Sequence, residues 1–475
     1  MNRQLSRVRS GSQTLTVWVN PKEPSDAVID REMRWGLFAF KLLFLFLFGG
    51  VGLGGLYAMY RFRNLGEVRA DANPNRPWTM YDEWNSDTIL SNAKTGNTAM
   101  LVFALIWNLI SWPTMFAVVE PVSKGEYLAL VALLFPVVGI FLAWLWYKGR
   151  RSYKLTGPMP LTLDPYPASI GGQFGGIIRL SSSNLNQLSG LQKNAKIKIE
   201  NVHTYRRGSG DNRKIYHHVI YEQSMVPSVV PVDGGLELRF CFDLGSEHQV
   251  SDPPLDSPRK TWRVRLIASA NDGTAIEREY QDIPVFVGNQ KSSISDTQAY
   301  AATSQATAQA SADMVQTVLE VQPDTRGHRL NFPAYKSKSM LMFAAVGLIF
   351  VVVGLAIPDI VFKIVFPLIG GPIAFAGVYT FARSLDVRVG AEGITSTRSV
   401  FGYAFKPKFL PSYAFDRFEK KKSSSSTTGN KTTDYYQIFA HSNDGSKVLV
   451  AEALEGIEQV DAAIEKLSSL QGFSS

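Results

Sequence analysis

Residues 127–147 read YLALVALLFPVVGIFLAWLWY, a run without a single charge that ends on Trp144, Trp146 and Tyr147 just ahead of Lys148, Arg150 and Arg151. The run is solid rather than alternating. A bilayer hydrocarbon core of about 30 Å takes about 20 helical residues, and within it a helix satisfies its own backbone hydrogen bonds. Aromatic and basic residues at the end of such a run sit at headgroup level. Four further stretches are comparably long and apolar, at 37–60, 100–119, 340–357 and 361–381, the first and last with one lysine near an end. The sequence therefore predicts a multi-pass α-helical membrane protein with about five transmembrane helices. The first stretch starts too late and is too long for a cleaved signal peptide.

The composition agrees with a mixture of membrane and soluble parts. Of 475 residues, 19% are charged, below the ~25% of average soluble chains, and the mean hydropathy is -0.02. An apolar fraction of 45% excludes wholesale disorder. Cys241 is the only cysteine, which excludes an intrachain disulfide scaffold. The net charge of +8, from 49 basic and 41 acidic residues, is clustered beside the apolar runs. A membrane flank explains it, and no nucleic-acid partner is expected.

Orientation follows from the same clustering. Lys and Arg within fifteen residues of the span ends number fourteen on one side, including Lys148, Arg150, Arg151, Arg326, Arg329, Arg383 and Arg388, and five on the other, including Lys22, Arg31 and Lys124. The richer side faces the cytoplasm. The expected location is a bacterial inner (cytoplasmic) membrane, with the N-terminus outside and the C-terminus cytoplasmic.

The expected organisation is a short extracytoplasmic segment at 1–34, transmembrane helix 1 at 35–60 and a cytoplasmic loop at 61–97. A hairpin of helices 2 and 3 follows at 98–147, then a β-sandwich domain at 148–290. An Ala/Ser/Gln/Thr-rich linker occupies 291–336, a hairpin of helices 4 and 5 occupies 337–382, and a small C-terminal α+β domain ends the chain at 383–475.

The sandwich rests on period-two alternation. Leu236, Leu238, Phe240, Phe242 and Leu244 alternate with Glu237, Arg239, Cys241 and Asp243; Trp262, Val264 and Leu266 alternate with Arg263 and Arg265. Phe240 and Trp262 are read as inward and Cys241 as outward. Gly171, Gly172, Gly175 and Gly176 lack the lysine of a phosphate loop and are read as a turn or bulge.

In the last domain, strands are expected at 387–389, 400–405, 435–440 and 447–450. Ile457, Val460, Ile464 and Leu467 lie at helical spacing, so an amphipathic helix closes the domain. A strand-rich domain with a C-terminal helix has the outline of a pleckstrin-homology-like barrel. Lys420–Lys422, followed by a Ser/Thr run, read as a basic hairpin loop that is either solvated or set against anionic headgroups.

No residue is assigned a catalytic, cofactor-binding or metal-ligating role, and no cofactor is expected. His217 and His218 are adjacent on a strand, so they point to opposite faces and cannot chelate one ion together. The other four histidines, His203, His248, His328 and His441, show no ligand spacing. No nucleophile elbow, Walker, zinc-protease or kinase pattern appears. Within the apolar runs Asn108 is the one strongly polar side chain near a centre, read as a helix–helix hydrogen bond. Lys41, Asp359 and Lys363 lie toward the ends. Glycines at 50 and 54, and at 370, 371 and 377, are read as close-packing positions.

A resemblance adds to this reading. Leu15, Val17, Asn20, Pro21, Pro24 and Ala27, leading into Trp35, resemble the closing strand of the bacterial domain of unknown function 3592, where a valine-rich strand, an Asn-Pro pair and a second proline precede a transmembrane helix. Members of that set carry another transmembrane helix and several strands ahead of this motif. Here Met1 stands just before it, which implies a misassigned start or a remnant of that outside domain. Arg76–Trp78, Glu83–Trp84, FALIWNLIS at 103–111, and IPVF at 283–286 are similar to uncharacterised bacterial membrane proteins. The sandwich is also similar, more weakly, to arrestin-like folds. The resemblance implies no activity.

Together these readings point to a non-enzymatic, membrane-anchored binding or scaffold protein. Its lipid contact is integral, its expected protein partner is cytoplasmic, and its role lies in envelope maintenance or signalling, with any small-molecule ligand left unidentified. The alternative is a channel or transport accessory subunit, and an enzyme ranks third.

Overall fold

The computed structural model describes residues 18–20, 23–28, 49–60 without 51 and 58, and 68–471 without 70–72, 74, 126, 182–189, 209–212, 255–256, 326, 336–337, 358–359 and 429–430. The chain divides into two units, Met1–Asn64 and Leu65–Ser475. In the first, β1 (Trp18–Asn20) pairs antiparallel with β2 (Glu23–Val28), Trp18 opposite Val28. The described residues from Gly49 to Tyr60 are helical. Most of the expected first span, and Val17 and Pro21 of the Asn-Pro motif, lie outside the described residues.

The second unit begins with β3 (Thr88–Ile89) and a helical stretch of α1 (Ala93–Ser111), α2 (Pro113–Ala117) and α3 (Val119–Ser123). Pro113 opens α2, where its missing N–H costs nothing. A 3₁₀ stretch, Tyr127–Leu133, leads into α4 (Leu134–Thr156). This helix runs nine residues beyond the apolar stretch and stops at Gly157, whose φ of +66° suits a residue without Cβ. Among the described residues, three helical stretches are long and apolar enough to cross a membrane: Ala93–Ser123, Ala129–Thr156 and Lys363–Ala382; a fourth apolar helix, Met340–Ala356, is shorter.

A β-sandwich follows, built from β4 (Leu161–Leu163), β5 (Ala168–Ile170), β6 (Gln173–Ser181), β7 (Lys196–Arg207), β8 (Lys214–Met225), β9 (Ser228–Val232), β10 (Gly235–Asp243), β11 (Arg259–Ser269), β12 (Ala275–Ile283) and β13 (Val285–Val287). One sheet has the order β3-β4-β6-β10-β9 and the other β12-β11-β7-β8, with β5 and β13 as a parallel pair. Phe174, Phe240, Trp262 and Tyr280 are fully buried between the sheets. Inward Phe240 and Trp262 thus match the alternation.

Three expectations are corrected. Cys241, expected on the outward, polar face, is only 3% exposed. The register is right, but the outer face of β6 and β10 is covered by the segment around Gln290 and Ser292. The glycines permit that approach: a Cβ on Gly172 would stand 2.4 Å from the Gln290 carbonyl oxygen, and one on Gly175 would stand 2.8 Å from Ser292 Oγ. Gly171, at φ +82°, turns the chain just before β6. These glycines serve a turn and close packing.

Second, the stretch 61–97 is not only a loop. Its β3 pairs with β4, and Trp84 is buried, its Nε1 donating to the Asp282 carbonyl at 2.9 Å and its ring set edge-on to Phe286. Third, 291–336 is not only a linker. It contains α5 (Gln298–Thr317), capped by Thr297, and the strands β14 (Val321–Asp324) and β15 (Gly327–Phe332).

Those two strands belong to the last domain. The helices α6 (Lys338–Ala356) and α7 (Ile360–Ala382) come next, then β16 (Arg383–Gly390), β17 (Gly393–Val400), β18 (Tyr403–Ala404), β19 (Lys408–Pro411), β20 (Phe415–Thr428), β21 (Lys431–Ser442), β22 (Lys447–Glu455) and α8 (Gly456–Gln471). One sheet runs β14-β15-β16-β17-β18 with β19 also on β17; a second runs β20-β21-β22. Because Phe332 pairs with Leu385, the α6–α7 hairpin is inserted between two adjacent strands of one sheet. The core holds Val387, Val389, Ile438, Ala440 and Val450, with Val460 and Leu467 of α8 fully buried against them. The strand expected over 400–405 is broken by a turn at Phe401 and Gly402, both with positive φ.

Candidate functional site: a charged seam between the two β domains

The outer face of β7, β8 and β11 carries a ladder of charge. Alternation puts Lys196, Lys198 and Glu200 of β7 outward, and the register sets Arg263 opposite Glu200 and Glu200 opposite Glu222. Arg263 is ion-paired with Glu200, Arg265 Nη1 reaches Glu200 Oε1 at 3.0 Å, and Lys198 Nζ reaches Glu222 Oε1 at 2.5 Å. Glu200, Arg263 and Arg265 are all buried. Charges removed from water need partners at close range, and cross-strand pairing supplies them.

The last domain closes this ladder. Glu458 in the first turn of α8 bonds Ser224 and lies 3.3 Å from Lys196 Nζ. A Cβ on Gly456 would stand 2.6 Å from Glu222 Oε1, so the helix start and that carboxylate are in close approach. Burial pushes the Glu222 carboxyl up, against the lowering pull of Lys198. Burial likewise pushes the Tyr221 hydroxyl up to about 12.

A second contact lies further along β8. Asp434 on β21 is buried, with Ser425 Oγ donating to its Oδ1 at 2.5 Å and Lys422 Nζ 2.8 Å away. Lys422 Nζ also donates to the His217 carbonyl at 3.2 Å, and His218 Nδ1 stands 3.9 Å from Asp434 Oδ2. The two histidines do face apart: His217 Nδ1 meets Thr204 Oγ1 at 3.0 Å, while His218 turns to Asp434. Burial holds both imidazoles below their ordinary value, reinforced by Arg263 and Arg259 for His217 and by Lys422 for His218.

The basic residues expected on a hairpin loop are therefore corrected. Lys420–Lys422 lie within β20, paired to β21, with Lys420 Nζ 2.6 Å from Asp461 on α8 and Lys422 on Asp434. Lys420 and Lys422 are thus ion-paired within the protein. A long polar strand resembles a loop in sequence because neither its Lys nor its Ser/Thr run alternates with apolar residues.

Asn108 is placed as expected. Its Nδ2 donates to the Gly139 carbonyl of α4 at 3.0 Å and to Ala104 at 2.7 Å, while Trp112 Nε1 donates to its Oδ1 at 2.8 Å. The Cys241 thiol is pushed up to about 12 by burial and by Asp243, opposite to the activation a nucleophile needs. Among the described residues, no group of three or more His, Cys, Asp or Glu could hold a metal ion.

Sequence reading missed Arg278. It occupies an inward position between Ile276 and Tyr280 on β12, and it bonds Thr156 Oγ1 at 2.5 Å and the Ser152 carbonyl at 3.4 Å on the last turn of α4. A charge at an inward position of an alternating strand was the available signal. Glu458 carried none, since Ser224 and Lys196 are over two hundred residues away, and neither did the approach of Asp434 to His218.

No protein-family model and no curated protein matches the chain. Among solved structures, the crystal structure of Spo0M, a sporulation control protein from Bacillus subtilis, is similar at 10% identity over 66% of this chain and 97% of that chain, with a TM-score of 0.18, too low to carry an argument.

Proposed function

We propose that this chain is a membrane-anchored binding or scaffold protein of a bacterial inner membrane, with five spans, its N-terminus outside and both β domains cytoplasmic. The observation that supports it most directly is how polar groups are used. Asn108 is spent on helix packing, whereas the sandwich is held to the last domain by ion pairs and to α4 by the buried Arg278. Such an arrangement presents a fixed β surface at the membrane. In this reading the last domain is a pleckstrin-homology-like barrel, with six strands in one sheet, three in the other and a closing helix; interrupted by a membrane hairpin after its second strand, it is tied to the bilayer at mid-domain.

The test is capture of the full-length protein from membranes after crosslinking, with reporter fusions after Lys154, Ser337 and Ser475. Cytoplasmic reporter activity at all three positions and a stoichiometric protein partner are expected. Periplasmic phosphatase activity at any of them would overturn the topology. Selective ion flux through liposomes, lost in Asn108→Leu, would favour the channel reading instead.

A further inference from the structure

The hairpin between β17 and β18 has an unusual tip. Phe401 and Gly402 have φ of +51° and +82°, the two positive values of a type I′ turn, for which Asn-Gly is the ordinary choice. A bulky aromatic residue in the left-handed region is strained by about 1–2 kcal/mol. No core contact repays it: Phe401 is 56% exposed, Tyr403 82% and Phe405 58%. Backbone strain combined with exposed apolar area points outward to a binding surface.

The register says what lies there. Val400 pairs with Arg383, the residue directly after α7, and the Phe401 N–H donates to the carbonyl of Ala382, the last residue of that helix, at 3.1 Å. Tyr335 is at the same level, its N–H on the Phe381 carbonyl at 2.8 Å and its ring 5.1 Å from that of Phe381. The tip is therefore level with the end of an apolar helix long enough to cross a bilayer. Lys406 follows Phe405, whose N–H meets the Arg398 carbonyl at 2.8 Å. At about 3.3 Å per strand residue, Lys406, four residues beyond Gly402, sits roughly 13 Å back from the tip, on the aqueous side of the aromatic residues.

We propose that the Phe401–Phe405 hairpin inserts into the headgroup zone of the leaflet from which α7 emerges, its aromatic rings at the interface and Lys406 at the aqueous edge of that zone. The occupant is lipid, because the patch is continuous with the helix end and has the aromatic-then-basic order of a membrane boundary. The insertion fixes the last domain's tilt against the bilayer and rests on the reading that α7 crosses the membrane.

Tyr413 is an internal control. It is 87% exposed, but it follows Pro411, which pairs with Gly393 at the opposite end of β17. Buried Cys241, with its thiol pushed up, leaves an introduced cysteine as the labelling site. Full-length Tyr403→Cys, Phe405→Cys, Tyr413→Cys and Val352→Cys, each carrying an environment-sensitive fluorophore, would be placed in nanodiscs of phosphatidylcholine and phosphatidylglycerol with nitroxide lipid. Labels at 403 and 405 are expected to be blue-shifted and quenched at least threefold more than the label at 413. Equal quenching at 403, 405 and 413, with 352 quenched, would overturn the hairpin insertion alone. An unquenched label at 352 would overturn the membrane reading and the insertion with it.

Discussion

The two apolar helical hairpins of the Leu65–Ser475 unit enter their β domains through different joints. In the first, α4 runs past its apolar stretch and its last turn is held by the side chain of Arg278, with Tyr280 Oη donating to the Met159 carbonyl just beyond, at 2.7 Å. In the second, the joint is backbone: β15 and β16 are neighbours in one sheet, and α7 passes into β16 without a loop. The hairpins also pack differently. The first uses Asn108 on Gly139, whereas α6 and α7 meet through glycine, where a Cβ on Gly347 would stand 2.3 Å from Ala374 N and one on Gly377 2.6 Å from Ala344 N. Gly371, expected to pack as well, has nothing within 4 Å. A side-chain joint can be undone by one substitution, while a backbone joint resists substitution but tolerates no added bulk.

The largest expected effect tests whether the two cores are separate. Phe240→Ala should cost the sandwich about 3–5 kcal/mol, as buried aromatic truncations do, and leave hydrogen exchange in β21 and β22 unchanged. Equal loss of protection in both domains would show that the seam couples them into one folding unit.

Next comes the side-chain joint. Arg278→Ala should cost about 1.5–3 kcal/mol, the worth of hydrogen bonds from a charged donor, and expose amides 152–156 to exchange. Tyr335→Ala at the backbone joint should change stability by less than about 1 kcal/mol, since its ring is half exposed. The reverse order would mean that Arg278 is not what holds α4.

The packing contrast is sharpened by a pair of substitutions. Gly377→Val should destabilise the second hairpin by about 1–3 kcal/mol through overpacking, read as a lower melting temperature in detergent. Asn108→Leu should cost about 0.6–2 kcal/mol, the range for hydrogen bonds between helices in membranes.

The smallest effect is on the seam. His217 and His218 have depressed imidazole values, so the folded protein binds fewer protons than the unfolded chain just below the ordinary value of 6.5. Their contribution is complete above that value and is lost as pH falls through it. The melting temperature should decline between pH 7.5 and 5.5, and less steeply in His218→Gln. An unchanged slope would place the pH sensitivity elsewhere.

The amino-acid sequence by itself determined the apolar helices, the inward positions of Phe240 and Trp262, the amphipathic α8 and the helix–helix role of Asn108. Each is written in a local period or in a run long enough for a bilayer, and so can be read without knowing the partner. Only the tertiary structure decided that β14 and β15 complete a sheet lying beyond an apolar helical hairpin, that Trp84 and Cys241 are covered, and that Lys420–Lys422 sit in a strand with Lys420 and Lys422 ion-paired. Strand pairing, burial of an outward face and neutralisation of a charge depend on residues tens to hundreds of positions away. Alternation fixes which face a side chain takes, whereas what covers that face is set by how distant segments meet.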